Sequence, residues 1–114
     1  HQFCRVGAYA YVGGYSVITR DALPFIKTVG VKPACYGVNR IGLERKGFDA
    51  DSLRRLDRAH RLLVRSGLRT SQALERIEAE VEIDDAIRAL LDFVRSSERG
   101  VISDPPGRRK SRGG

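Results

Sequence analysis

The sequence predicts the closing coils of a parallel β-helix followed by a small helical domain. Three observations predict it. A six-residue repeat runs near the start, a proline- and glycine-marked exit follows, and the spacing turns helical beyond residue 39. The 114 residues are enough for one small domain.

The repeat comes first. Val6-Gly-Ala-Tyr-Ala-Tyr11 is followed by Val12-Gly-Gly-Tyr-Ser-Val17 and, more loosely, by Ile18-Thr-Arg-Asp-Ala-Leu23. Each hexad opens on an aliphatic residue and places a small one, Ala10, Ser16 or Ala22, in fifth position. In a hexapeptide β-helix, short strands wind around a prism. The opening residue points inward, and the small one avoids crowding at a corner. On the residues alone, a glycine-rich hairpin with alternating apolar residues stays open. A coil cannot bury its own faces and needs about three or more repeats. Further coils are therefore expected ahead of residue 1, and the chain reads as a fragment of a longer product.

The solenoid is expected to end near Pro24, with an extended exit through residue 38 containing Gly30, Pro33 and Gly37. Asn39 to Lys46 is a short helix candidate closed by Gly47. Asp49 is placed to cap the next helix, with Asp51 in its first turn. Leu53, Leu56, Ala59 or His60, and Leu63 trace its buried face, and Gly67 stops it. A third helix starts at Thr70 or Ser71 and buries Leu74, Ile77 and Val81. A fourth carries Ile83, Ile87, Leu90, Leu91 and Val94. The division is thus 1–38 for coils and exit, 39–102 for the helical domain, and 103–114 for a disordered basic tail.

The formal net charge is +7, which favours anionic partners. Part of the excess sits in the tail, at Arg108, Arg109, Lys110 and Arg112. There is no run of about 18 or more apolar residues, so no stable membrane insertion is expected. Cys4 and Cys35 lie far apart without a CxxC pattern. They read as reduced packing cysteines of a cytoplasmic protein, with a disulfide or metal site as the alternative.

Particular strings carry a family resemblance over roughly residues 1–102. They are His1-Gln-Phe-Cys4, Val12-Gly-Gly14, Tyr36-Gly-Val-Asn39, Ile41-Gly-Leu-Glu-Arg-Lys-Gly-Phe48, Arg61-Leu-Leu-Val-Arg-Ser-Gly67 and Arg99-Gly-Val-Ile102. With them the chain resembles the UDP-N-acetylglucosamine O-acyltransferases of lipid A synthesis, within the hexapeptide-repeat acyltransferases. The resemblance implies a left-handed β-helix, a homotrimer, and active sites in clefts between neighbouring solenoids. The implied reaction moves a 3-hydroxyacyl chain from acyl carrier protein to the 3-hydroxyl of UDP-N-acetylglucosamine.

The resemblance also assigns residues. His1 and Gln2 match a pair lining the active cleft. Asn39, Arg45 and Lys46 match nucleotide contacts, with the basic pair near the diphosphate. That chemistry suits a bidentate guanidinium and a point-charge ammonium; Asn39 could equally be a helix N-cap. Gly14 stands where acyl length is set, and Lys32 near the tail of the groove. No catalytic residue is assigned, because the family's histidine base belongs to an earlier coil. No metal or other cofactor is implied beyond the acylated carrier as donor. The basic helices, through Arg54, Arg55 and Arg58, are placed to steer an acidic carrier protein. Two other readings remain: a different hexapeptide nucleotide-sugar acyltransferase, and a basic helical interaction module. Nucleic acid is not the expected partner, since no recognition motif accompanies the arginines.

Overall fold

The two stacked turns pair in parallel at a spacing of sixteen residues. Val6 bridges Ala22, Tyr11 pairs with Lys27, and Val12 pairs with Thr28. These relationships come from a computed structural model, which describes residues 4–13, 20–30, 34–97 and 100–105. Strand β1 (Tyr11–Val12) lies parallel to β2 (Ile26–Val29), which pairs antiparallel with β3 (Ala34–Val38). Three hexads would return the chain after eighteen residues; this coil is two shorter.

The parallel stacking also passes beyond Pro24, to Thr28. Pro24 is buried in a turn, and Gly7 makes the close approach possible. A Cβ on Gly7 would stand 2.4 Å from the Pro24 nitrogen and 2.6 Å from its Cα and Cβ. Of the residues expected to face inward, Ala22 and Leu23 are buried, but Val6 is 56% exposed. Val6 lies on the outermost stacked turn among the described residues, so nothing there covers its side chain.

From β2 the chain reverses rather than winding on. The β2–β3 register shifts between Lys27 and Thr28, and the opposing Gly37 takes φ +140°. Helix α1 (Arg40–Arg45) follows directly. Gly47 closes it at φ +92°. Its N–H donates to the Glu44 carbonyl at 3.0 Å, and the Phe48 N–H to the Leu43 carbonyl at 3.0 Å. This is the Schellman arrangement that a left-handed glycine permits. Helix α2 (Ala50–His60) starts at Asp49, whose Oδ1 accepts from the Ser52 N–H at 2.9 Å.

The end of α2 departs from the simple helical face. Arg61–Arg65 form a π-helical turn, and Leu62, Leu63 and Val64 are buried in succession. Ala59 and His60 are both buried as well. Widening the turn rotates side chains that a regular helix would point outward. Helix α3 (Thr70–Glu80) starts as expected. Helix α4 (Asp85–Arg95) leaves Ile83 outside. Its cap is Asp84, whose Oδ1 accepts from the Ile87 N–H at 2.9 Å.

One core joins sheet and helices. Leu23, Ile26 and Cys35 pack into the same cluster as Leu43, Leu56, Ile77 and Leu90. The chain end returns to the coil: the Ile102 N–H donates to the Asp21 carbonyl at 2.9 Å and Asp21 N–H to Gly100 at 2.8 Å. Asp104 accepts from the Cys35 N–H at 2.7 Å. The basic part of the tail lies outside the described residues.

Candidate functional site

Helix α1 and its two flanking cap positions hold the three described residues expected to contact the nucleotide. Asn39 precedes its first turn; Arg45 ends it, and Lys46 caps it. A rise of about 1.5 Å per residue separates Asn39 from Arg45 by roughly 9 Å along the axis. Arg45 and Lys46 are exposed, and neither pairs with a carboxylate among the described residues. Arg40, on the same helix, is occupied: its Nη2 lies 3.5 Å from Asp57 Oδ2. The helix therefore offers two uncommitted cations at its C-terminal end.

Asn39 does not act as a side-chain cap. Its Nδ2 turns back and donates to the Tyr9 carbonyl at 3.0 Å, while its N–H donates to the Phe25 carbonyl at 2.6 Å. Tyr9 and Phe25 hold left-handed backbone, at φ 58° and 70°, which costs a non-glycine residue roughly 1–2 kcal/mol. The Phe25 N–H also donates to the Ala8 carbonyl at 2.9 Å. Rings reinforce the corner. Tyr9 stacks on Phe25 at 6.1 Å and meets Phe48 edge-on at 5.5 Å, with Phe25 and Phe48 at 6.0 Å. Asn39 at one end of α1 and Phe48 just beyond the other are thus both anchored to the same coil corner. Sequence patterning does not mark Tyr9, because its contribution is a backbone carbonyl, which no side-chain pattern announces.

His1, Gln2, Gly14 and Lys32 lie outside the described residues. His60 is described and does not join α1. It is 5% exposed within the core, and its Nε2 has no hydrogen-bond partner among the described residues. Burial holds its pKa below the ordinary value, helped by Arg65 and Arg61 and opposed by Asp57 and a bond to the Cys35 backbone. Cys35 is free, and its thiol donates to the Ile102 carbonyl at 2.9 Å. Burial raises that thiol to about 11, so it packs as a neutral group.

The arginines of α2 have local partners. Arg54 pairs with Asp51; Arg55 meets Asp84 at 2.8 Å and Glu82 at 3.8 Å; Arg58 meets Glu80 at 2.7 Å. They line a groove of about 420 Å³ in which Arg54, Arg55, Arg58 and Arg61 face Asp51, Asp57, Glu80 and Glu82. Equal numbers of each sign leave no net positive wall for a polyanion. That charge balance argues against a basic interaction module here and weakens carrier steering through these arginines.

The chain is similar to several known proteins. A family model described as UDP-N-acetylglucosamine O-acyltransferase, domain 2, matches residues 21–102. The acyl-(acyl-carrier-protein)-UDP-N-acetylglucosamine O-acyltransferase of Alkalilimnicola ehrlichii is 41% identical over 102 residues, covering 90% of this chain and 40% of the relative. The enzyme of the same name from Syntrophobacter fumaroxidans is 46% identical over 97 residues, covering 84% and 38%. The crystal structure of a UDP-N-acetylglucosamine acyltransferase from Bacteroides fragilis superposes with a TM-score of 0.87 at 42% identity, covering 90% of this chain and 40% of that one. The chain spans about 40% of the length of the curated relatives it matches.

Proposed function

The chain belongs to the UDP-N-acetylglucosamine O-acyltransferase family, and on that premise we propose that it is the C-terminal portion of an acyl-carrier-protein-dependent acyltransferase. The whole enzyme moves a 3-hydroxyacyl chain to the 3-hydroxyl of UDP-N-acetylglucosamine, the first step of lipid A biosynthesis. One observation carries the reading for this portion. Asn39, Arg45 and Lys46, the last two without a carboxylate partner among the described residues, sit on one short helix and its caps, tied to Tyr9.

In this reading Arg45 grips diphosphate oxygens bidentately, Lys46 adds a point charge, and Asn39 contacts the base. His1 and Gln2 line the cleft, while Gly14 and Lys32 set the length of the acyl groove. A histidine from an earlier coil takes the proton of the attacking sugar hydroxyl, and backbone N–H groups hold the oxyanion. The parallel pairing at sixteen-residue spacing supports membership of a left-handed β-helix whose preceding coil covers Val6. The same reading gives the division 1–38, 39–102 and 103–114, a homotrimer with clefts between subunits, and a cytoplasmic enzyme that needs no metal.

The test is acyl transfer by the purified full-length enzyme, with hydroxyacyl carrier protein as donor and UDP-N-acetylglucosamine as acceptor. Product acylated at the glucosamine 3-hydroxyl is expected. Transfer only to another nucleotide sugar would overturn the reading.

A further inference from the structure

A side chain at Gly42 in α1 would strike Asn39. A Cβ built on Gly42 stands 2.6 Å from Asn39 Nδ2, 3.0 Å from Oδ1 and 3.1 Å from Cγ. The Asn39 amide thus occupies the space that any other residue at 42 would fill. Gly42 has an ordinary helical backbone, and its φ is not in the left-handed range. Glycine inside a helix costs about 0.5–1 kcal/mol relative to alanine. Conformation does not call for it; the neighbouring amide does.

The amide is held on its other side too. The Tyr9 carbonyl takes an Nδ2 hydrogen, and Tyr9 keeps a left-handed backbone under two aromatic contacts while doing so. Strained residues of this kind persist only where their surroundings over-determine them. With one amide hydrogen committed to Tyr9, Oδ1 is left as an acceptor without a protein donor among the described residues. The half-buried amide is therefore fixed before any ligand arrives.

We propose that Gly42 and Tyr9 are positioning residues for the nucleotide: Gly42 leaves the space and Tyr9 supplies the carbonyl that together hold the Asn39 amide with Oδ1 free to accept from the bound base. The proposal rests on the nucleotide reading of α1 given above. Its physical content is preorganisation, in which ordering is complete before binding and so costs nothing at that moment. Replacing Gly42 by alanine pushes the amide off the Tyr9 carbonyl while improving the helix, so loss of folding and loss of positioning separate.

The experiment is a double-mutant cycle in the full-length enzyme with Gly42→Ala, Asn39→Ala and the pair. The measurements are KM for UDP-N-acetylglucosamine, KM for the acylated carrier, kcat, and the thermal midpoint. Gly42→Ala is expected to raise KM for the nucleotide sugar about tenfold, the scale of one lost hydrogen bond. The carrier KM, kcat and midpoint are expected to stay within about twofold or 2 °C of the parent. The pair is expected to be no worse than Asn39→Ala alone, because Gly42 acts through Asn39. If Asn39→Ala raises KM but Gly42→Ala does not, or if the two effects multiply, positioning by Gly42 is wrong while the nucleotide site stands. If Asn39→Ala leaves KM unchanged, the nucleotide reading itself falls, and the proposal with it.

Discussion

Ser97 donates its hydroxyl to Asp21 Oδ2 at 2.6 Å, tying the segment after α4 to the coil. The same carboxylate accepts from the Arg5 N–H at 2.7 Å and faces Arg5 Nε at 3.3 Å. Arg5 in turn lies over the Phe93 ring at 4.2 Å and donates to the Phe93 carbonyl at 3.0 Å. Asp21, 1% exposed, thereby joins the two ends of the described chain to one another.

Burial alone would raise the Asp21 pKa, but Ser97 and Arg5 outweigh it and hold the carboxyl below 3.8. A depressed carboxylate contributes stability that is fully present above its unfolded pKa. That contribution is lost as pH falls through the lower folded value. Asp21→Ala is expected to cost about 1–3 kcal/mol at neutral pH, since it leaves buried donors unpaired. Asp21→Asn is expected to flatten the fall in thermal midpoint below pH 4. A parental acid limb in that variant would show that other carboxylates carry it.

Gly7 leads to a steric prediction. Its position against Pro24 leaves no room for a methyl group. Gly7→Ala is expected to destabilise by about 1–3 kcal/mol through overpacking, visible as a lower midpoint in denaturant. An unchanged midpoint would mean that the coil and the Pro24 turn separate easily.

Arg55 and Asp84 link α2 to the start of α4, because Asp84 also caps that helix. Asp84→Ala is expected to cost about 1 kcal/mol from the cap alone. In the full-length enzyme of the proposed reading, Arg55→Glu is expected to lower the thermal midpoint while leaving the affinity for acyl carrier protein within about twofold. A large loss of carrier affinity without destabilisation would restore the steering role that its ion pairs argue against.

His60 adds a second pH dependence of the same sign by a different route. Its depressed pKa means the unfolded chain takes up the proton first, so stability falls as pH drops below 6.5 towards the folded value. His60→Leu is expected to reduce that slope and to change stability at pH 7.5 by less than about 1.5 kcal/mol. The leucine removes an unpaired nitrogen but also loses the bond to the Cys35 backbone. An unchanged slope between pH 5 and 7 would place the titration elsewhere.

The helices were legible because their signals are local. Asp49, Gly47 and Gly67 each act within a few residues, and Leu53, Leu56, Ile87 and Leu90 follow the helical period. The π-turn was not legible, since Leu62, Leu63 and Val64 are buried together against that period. Nor was the capping role of Asp84: Ile83 continued the apolar spacing and drew the start of α4 too early. The hexads point to parallel stacking, but not to its sixteen-residue return or to the exposure of Val6, and the reversal into β3 depends on long-range pairing. At the candidate site, the motif strings marked Asn39, Arg45 and Lys46. What holds Asn39 comes from a carbonyl thirty positions away and from the absence of a side chain at Gly42.

On the proposed reading, α1 binds the nucleotide diphosphate through Arg45 and Lys46. Titrating UDP-N-acetylglucosamine into the full-length enzyme and its Arg45→Ala/Lys46→Ala variant, at two salt concentrations, tests it most directly. At least tenfold weaker binding is expected in the variant, with a shallower salt dependence and an unchanged thermal midpoint. Equal affinity and equal salt dependence in the two proteins would contradict the claim.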